Sequence, residues 1–321
     1  MPKKNVIVKF SLAILLIMAI IAISDTQVSA AFRFAMTADT KDDDCSMSGN
    51  VGVNPYLDEM VRDMKTLGAQ VFLCGGDLVH GGTGGPHGSS QTAQFAKWNE
   101  LTSAFDGARY MVPGNRDIRP LVCPRSVWQS AFSYLPDNGP AGEQGLDYYV
   151  DFGNTRIIAS CDQWDTNPDG STTWPTNQTW VNKDWLEDIL TQTENEGFEH
   201  IFVLGHTPGH AGDFHRLVAH GVDAYFCGDL HSYVISRPEG DNTTLQAIVG
   251  TGGYRSGSGF LLVEVDGPMV TAKYYKDLNG DGYFLDVADS FIITIPEPTT
   301  LTLLSIASAS ILLRRRRQKH N

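Results

Sequence analysis

Six residues able to hold a metal ion or move a proton recur in one kind of place along this 321-residue chain. Asp39, Asp77, Asn115, His206, Asp229 and His231 each stand just past the end of a short apolar run. Singly, an Asp or Asn after such a run is an ordinary turn or cap residue. Together, carboxylate, amide and imidazole groups make a donor set suited to borderline ions such as Fe, Mn or Zn. Two ions sharing a bridging carboxylate clamp a phosphoryl group and activate a water. Two divalent or trivalent ions are therefore the expected cofactors.

The runs that carry these residues read as buried strands, with four to six apolar or β-branched residues bounded by turn signals. They include 33–36, 71–74, 110–112, 200–204 and 224–227, with 148–152 and 156–160 forming a hairpin that turns at Gly153-Asn154. Helical patterns lie between them at 55–68, where Leu57, Met60, Val61 and Met64 share a face, and at 94–105 and 180–197. Strands then follow one another directly at 245–249, 259–265 and 270–275. Alternating strands and helices imply a buried sheet with helices outside it. In such sheets the strand C-terminal edge is where loops converge into a site.

The motifs resemble those of the calcineurin-like metallophosphoesterase superfamily over about residues 33–275. Its five motifs appear in order as Asp39-Thr40-Lys41, Gly76-Asp77, Gly114-Asn115-Arg116-Asp117, Gly205-His206 and Gly228-Asp229-Leu230-His231. The resemblance implies an α/β fold, a metallophosphoesterase-type layered β-sandwich flanked by helices (α/β/β/α). It also implies that Asp39 and His231 hold a first metal, that Asp77 bridges, and that Asn115 and His206 hold a second. The implied activity is hydrolysis of small phosphate mono- or diesters by a metal-activated water.

Three motif positions lack the family's histidine. Asp229 keeps a metal-binding oxygen where a second-metal ligand is expected. Lys41 replaces a first-metal ligand, and His80, three residues after Asp77, is a substitute ligand by analogy with the purple acid phosphatase branch. Arg116 replaces the histidine that protonates the leaving group. A guanidinium keeps its proton but grips phosphate oxygens in pairs. The catalytic set is therefore read as Arg116, Asp117 and His210, with His210 or water as the acid. A rival reading has Lys41 and Arg116 neutralise Asp39, Asp77 and Asp229 without metal. That would leave a degenerate phosphoesterase fold serving as a surface or matrix binding protein.

Asp277-Leu278-Asn279-Gly280-Asp281-Gly282 matches the first half of an EF-hand loop, with oxygen donors at Asp277, Asn279 and Asp281. Ala288 stands at the twelfth position, flanked by Asp286 and Asp289, so the match to a calcium site is partial and a polar turn is the alternative.

Both ends read as addresses. Lys3, Lys4 and Lys9, an apolar run over 10–23 and Val28-Ser29-Ala30 form a secretory signal that leaves Ala31 as the first mature residue. Pro296-Glu297-Pro298, an apolar run over 301–313 and Arg314 to Arg317 resemble the PEP-CTERM sorting tail of Gram-negative bacteria. That resemblance implies export through the inner membrane, transient membrane insertion of the tail, a sorting protease as partner, and a destination at the cell surface or extracellular matrix. The domain organisation is thus a signal peptide over 1–30, one phosphoesterase domain over 31–295 and the tail over 296–321. Of five cysteines, Cys74, Cys161 and Cys227 end apolar runs and read as buried, while Cys45 and Cys123 are the better disulfide candidates. Formal net charge is -13 for the whole chain. Residues 31–295 alone carry 16 basic and 35 acidic side chains, and that excess excludes a nucleic-acid polymer as partner.

Overall fold

A computed structural model describes residues 31–42, 51–81, 89–118, 124–162, 181–240, 243–251 and 255–294. The first sheet contains β1 (Phe32–Thr37), β2 (Val71–Gly75), β3 (Ala108–Val112), β10 (Phe260–Asp266), β11 (Met269–Lys276) and β12 (Asp286–Thr294). Its order is β12-β11-β10-β1-β2-β3. The second contains β4 (Tyr148–Phe152), β5 (Thr155–Ala159), β6 (His200–Leu204), β7 (Ala224–Cys227), β8 (Tyr233–Ser236) and β9 (Leu245–Val249). Its order is β4-β5-β6-β7-β9-β8.

Strand periodicity divides the side chains between two cores. Phe202 and Leu204 of β6, and Ala224 and Phe226 of β7, join the core that also holds Phe34. Phe34 meets Phe202 and Phe226 at ring-centroid distances of 5.4 and 5.6 Å, so this core lies between the sheets. The alternate residues Ile201, Val203, Tyr225 and Cys227 join a second core with Leu186, Ile189 and Leu190 of a helix. A sheet covered on both faces needs apolar residues at nearly every strand position, which is why these runs show little alternation.

The helices are α1 (Leu57–Thr66), α2 (Gln91–Thr102), α3 (Arg125–Ala131), α4 (Lys183–Glu196) and α5 (Phe214–Ala219). α1 buries Leu57, Met60, Val61 and Met64, the face its spacing marked out. The Ser90 hydroxyl caps α2 by accepting from the Ala93 N–H at 3.2 Å, and Gly197 ends α4 at φ 76°. The layered arrangement of two sheets flanked by helices is the fold the motifs implied. The expected hairpin forms, with Tyr148 paired to Ala159 and Phe152 to Thr155. β8, β12, α3 and α5 were not anticipated from the sequence.

Parallel pairing sets the site's position. β1, β2 and β3 run parallel, as do β5, β6, β7 and β9. The C-terminal ends of the two groups are laced together. Ala38 N–H donates to Val249 O and Thr251 N–H to Ala38 O, both at 2.9 Å. Among the described residues no helix is long and apolar enough to cross a membrane. The leader, the tail, Cys45 and Cys123 lie outside the described residues. Cys74, Cys161 and Cys227 are buried, as their positions in the apolar runs suggested.

Candidate metal centre

The loops after β1, β2 and β6 bring Asp39, Asp77 and His206 together. One ligand atom from each lies within 4.8 Å of the other two, and all three side chains are buried. Asp39 and Asp77 hold φ of 55° and 50°, and Asp229 and His231 hold 68° and 47°. Non-glycine residues seldom adopt the left-handed region, and such outliers cluster at functional sites. Backbone bonds fix the turns: Asp39 N–H donates to Gly76 O at 2.9 Å and Lys41 N–H to Asp77 O at 3.1 Å. Gly114 is needed for close approach, since a Cβ there would lie 2.3 Å from Asp77 N and 2.4 Å from Asp77 Oδ1.

His206 is oriented from behind. Its Nδ1 donates to Gly75 O at 2.8 Å, which turns Nε2 toward Asp77 Oδ1 at 3.5 Å and Asp229 Oδ1 at 3.7 Å. A backbone carbonyl on the far nitrogen is the usual way a metal-binding imidazole is held. His206 Nε2 and both Asp39 carboxylate oxygens are buried without a hydrogen bond. Buried polar atoms in that state are costly unless something else meets them. One oxygen-and-imidazole-loving cation fits this trio.

The charges in the cluster reinforce one another. Burial, helped by Asp77, pushes the Asp39 carboxyl up to about 7 despite His206 and Lys41. Burial works against Asp77 too, but the charges of His206 and Lys41 outweigh it and hold that carboxyl below its ordinary range. Burial works against the His206 imidazolium, yet Asp77, Asp39 and Asp162 raise it to about 9.

The remaining expected site residues are distributed unevenly. His231 Nε2 lies 3.9 Å from Asp39 Oδ1 at the exposed rim. Asn115 is half-buried on the loop after β3. Arg116, next to it, donates its backbone N–H to Asp77 Oδ1 at 2.7 Å. Lys41 is buried with its ammonium on Asp77 Oδ2 and 3.8 Å from Asp39 Oδ1. His80 is half-buried, with its Nδ1 3.4 Å from Gly81 O and its backbone N–H on Gly52 O. It is not part of the close trio.

Two residues expected to be catalytic are built differently. Asp117 is fully buried and accepts from Leu78 N–H at 3.0 Å, Val79 N–H at 3.3 Å and Gly114 N–H at 2.8 Å. It ties the loop after β2 to the loop after β3 and so positions Asp77. Burial and the nearby Asp77 push its carboxyl up to about 7. His210 is also fully buried, with Nε2 3.1 Å from Ser160 Oγ and its ring 5.0 Å from that of Tyr225. Burial lowers it to about 4, so near neutrality it is a neutral imidazole and a poor general acid. The sequence reading missed Asp162, which accepts from Thr207 N–H at 2.6 Å and His206 N–H at 3.3 Å. Its place just past β5 was the available signal.

The acidic loop before β12 is closed from within. Asp277 Oδ1 accepts from Gly280 N–H at 2.7 Å and Asp281 N–H at 3.2 Å. Asn279 Oδ1 accepts from Asp281 N–H at 2.9 Å, and Asp281 Oδ1 from Tyr283 N–H at 2.9 Å. Arg255 reaches Asp277 Oδ2 and Glu59 Oε2, each at 2.6 Å. The guanidinium already supplies the positive charge that a calcium ion would bring to Asp277.

Known proteins share this fold. The family model described as calcineurin-like phosphoesterase matches residues 18–233. No curated protein matches the chain. A dimetal phosphatase from Danio rerio superposes with a TM-score of 0.61 at 12% identity, over 83% of this chain and 99% of that one. A purple acid phosphatase from yellow lupin (Lupinus luteus) seeds gives 0.58 at 14% identity over 85% of this chain, which spans only 57% of the lupin protein. GAP50, the anchor in the inner membrane complex of Plasmodium, gives 0.51 at 14%, over 84% of this chain and 90% of that one. At such identities the neighbours attest the fold, while the family match spans about two thirds of the sequence, and the chain belongs to the calcineurin-like phosphoesterase family.

Proposed function

We propose that this protein is an exported, metal-dependent phosphoesterase acting on small phosphate mono- or diesters. The observation that carries this reading is the buried trio of Asp39, Asp77 and His206 at the meeting edge of two parallel strand groups, in which both Asp39 carboxylate oxygens and His206 Nε2 lack hydrogen bonds. Asp39, Asp77 and His206 would hold the ion, with Asn115 and Asp229 beside it. A bound Fe, Mn or Zn ion supplies Lewis acidity, polarising a phosphoryl oxygen and acidifying water. Arg116 offers a fixed positive charge for the non-bridging phosphate oxygens. Asp117 and Asp162 hold the loops that carry Asp77 and His206. Export rests on the leader over 1–30 and the tail over 296–321 read from the sequence.

Hydrolysis of p-nitrophenyl phosphate and bis(p-nitrophenyl) phosphate by the chelator-treated protein, with and without Mn²⁺, tests this. Turnover that needs the ion and disappears in His206→Ala is expected. A second reading, a binding protein on a degenerate phosphoesterase fold, is favoured by the Lys41–Asp77 ion pair within the cluster. The Plasmodium neighbour of similar fold is described as the anchor in the inner membrane complex. No turnover at any pH with any of the three metals would select it. Export is tested by N-terminal sequencing of secreted protein, expected to begin at Ala31.

A further inference from the structure

The two oxygens of Asp77 face two different neighbours. Oδ1 faces His206 Nε2 at 3.5 Å and accepts the Arg116 N–H at 2.7 Å. Oδ2 accepts from the Lys41 ammonium, which also lies 3.8 Å from Asp39 Oδ1. The lysine therefore sits between the two carboxylates that a first ion would share, on the side where His231 approaches Asp39 at 3.9 Å. Its side chain is 2% exposed, so it is part of the interior and not a surface residue passing by.

The lysine is held in that place. Its backbone N–H is bonded to Asp77 O, and the residue forms a β-bridge with Val53. The preceding Thr40 donates its hydroxyl to Leu78 O at 3.1 Å and accepts from Trp98 Nε1 at 2.9 Å. Those bonds anchor it to the loop after β2 and to α2. An ammonium has three donors and no acceptor, so it cannot be a ligand. It also repels any cation placed against the same two oxygens. His206, Asp77 and Asp39 still bring one ligand atom each within 4.8 Å of the other two, with His206 Nε2 3.5 Å from Asp77 Oδ1.

We infer that this centre is built for one metal ion and not two, with the Lys41 ammonium standing as a fixed internal cation in the place of the first. The inference rests on the metal-dependent reading above and narrows it. One ion would be held on the His206 side, and Lys41 would neutralise the Asp77–Asp39 side permanently. A mononuclear centre of this kind still polarises a phosphoryl oxygen but has no second ion to share the charge.

The test is the metal itself. The mature chain, stripped with chelator and dialysed, is titrated with Mn²⁺ by calorimetry and examined by electron paramagnetic resonance. Wild type is expected to take up one Mn²⁺ per chain, with the hyperfine pattern of an isolated ion. His206→Ala is expected to lose that ion. Lys41→His is expected to gain a second ion and show the spectrum of an exchange-coupled pair. Two ions in wild type, or one ion that survives His206→Ala, overturns the inference. Because the wild-type stoichiometry decides by itself, a misfolded Lys41→His does not blunt the test; Lys41→Gln, checked by circular dichroism, serves as the second variant. Two ions together with metal-dependent turnover would end this inference and leave the phosphoesterase reading standing. No bound ion and no turnover would end both.

Discussion

Asp117 is the residue whose role the structure changes most, and its replacement by Ala gives a sharp expectation. The carboxylate is fully buried and receives N–H groups from Leu78, Val79 and Gly114. Truncation strands all three. An unsatisfied buried N–H costs roughly 1–3 kcal/mol, and one water entering the space would relieve part of that, so the gross loss is about 4–5 kcal/mol. Burial raises this carboxyl from 3.8 to about 7, so wild type holds more protons folded than unfolded in that range. The carboxyl therefore withdraws stability as pH climbs from about 4 through about 7, and removing it returns about 1–2 kcal/mol at pH 5. The net loss is about 3 kcal/mol at pH 5, a fall of roughly 10 °C in Tm for a domain of this size. Urea unfolding of metal-free protein at pH 5 measures it, with an unchanged m-value. Asp117→Asn keeps one accepting oxygen and should fall between the two. An Asp117→Ala variant that unfolds at the wild-type urea concentration yet has lost all turnover would refute this reasoning, because it would put the carboxyl on the reacting atoms.

Other expectations follow from the same charges and contacts. Mn²⁺ must displace the His206 proton below about pH 9 and the Asp39 proton below about pH 7, so affinity should rise about tenfold per pH unit between 7 and 9 and more steeply below 7. Calorimetry in buffers of different ionisation enthalpy counts those protons, and a pH-independent affinity would contradict the assignment. Metal-free protein should lose stability steadily as pH rises: Asp39 and Asp117 withdraw it between about 4 and 7, and the raised His206 between about 6.5 and 9. A pH series of thermal melts reads this, and added Mn²⁺ should flatten the slope. Arg255→Ala leaves the Asp277 carboxylate buried without its guanidinium and should cost about 2 kcal/mol in urea unfolding. Millimolar Ca²⁺ should leave the wild-type Tm where it is. With Arg116 in place of a proton donor and His210 deprotonated above about 4, kcat should fall steeply as leaving-group pKa rises across a series of aryl phosphates. Arg116→His should flatten that dependence.

Much of the fold could be read from the chain because its strands are covered on both faces. Continuous apolar runs such as 200–204 and 224–227 read as buried strands once Gly205-His206 and Gly228-Asp229 close them. β12 escaped because Asp286, Asp289 and Ser290 interrupt its apolar pattern and it pairs only with β11 at the sheet edge. α3 and α5, at seven and six residues, are too short to show a period. In the site, chain order revealed which residues meet at the strand ends. It did not reveal burial. Asp117 and His210 carry the same side chains as a catalytic acid and base, but desolvation decides whether they reach substrate or hold a loop. Arg255 and Asp277 are 22 residues apart, and only the fold shows that the acidic loop already has its counterion.

The two cationic replacements, Lys41 and Arg116, have a consequence for how the centre is assembled. Three carboxylates converge there, and without compensation their mutual repulsion would open the loops that carry them. Lys41 meets two of them, and the raised His206 is protonated at neutral pH when no ion is bound. The metal-free cluster is therefore close to charge balance before any ion arrives. A divalent ion that displaces the His206 proton then adds a single net positive charge to an arrangement already in place. The site therefore need not wait for metal to fold. The same ammonium that makes metal-free assembly possible is what denies the first position to a second ion.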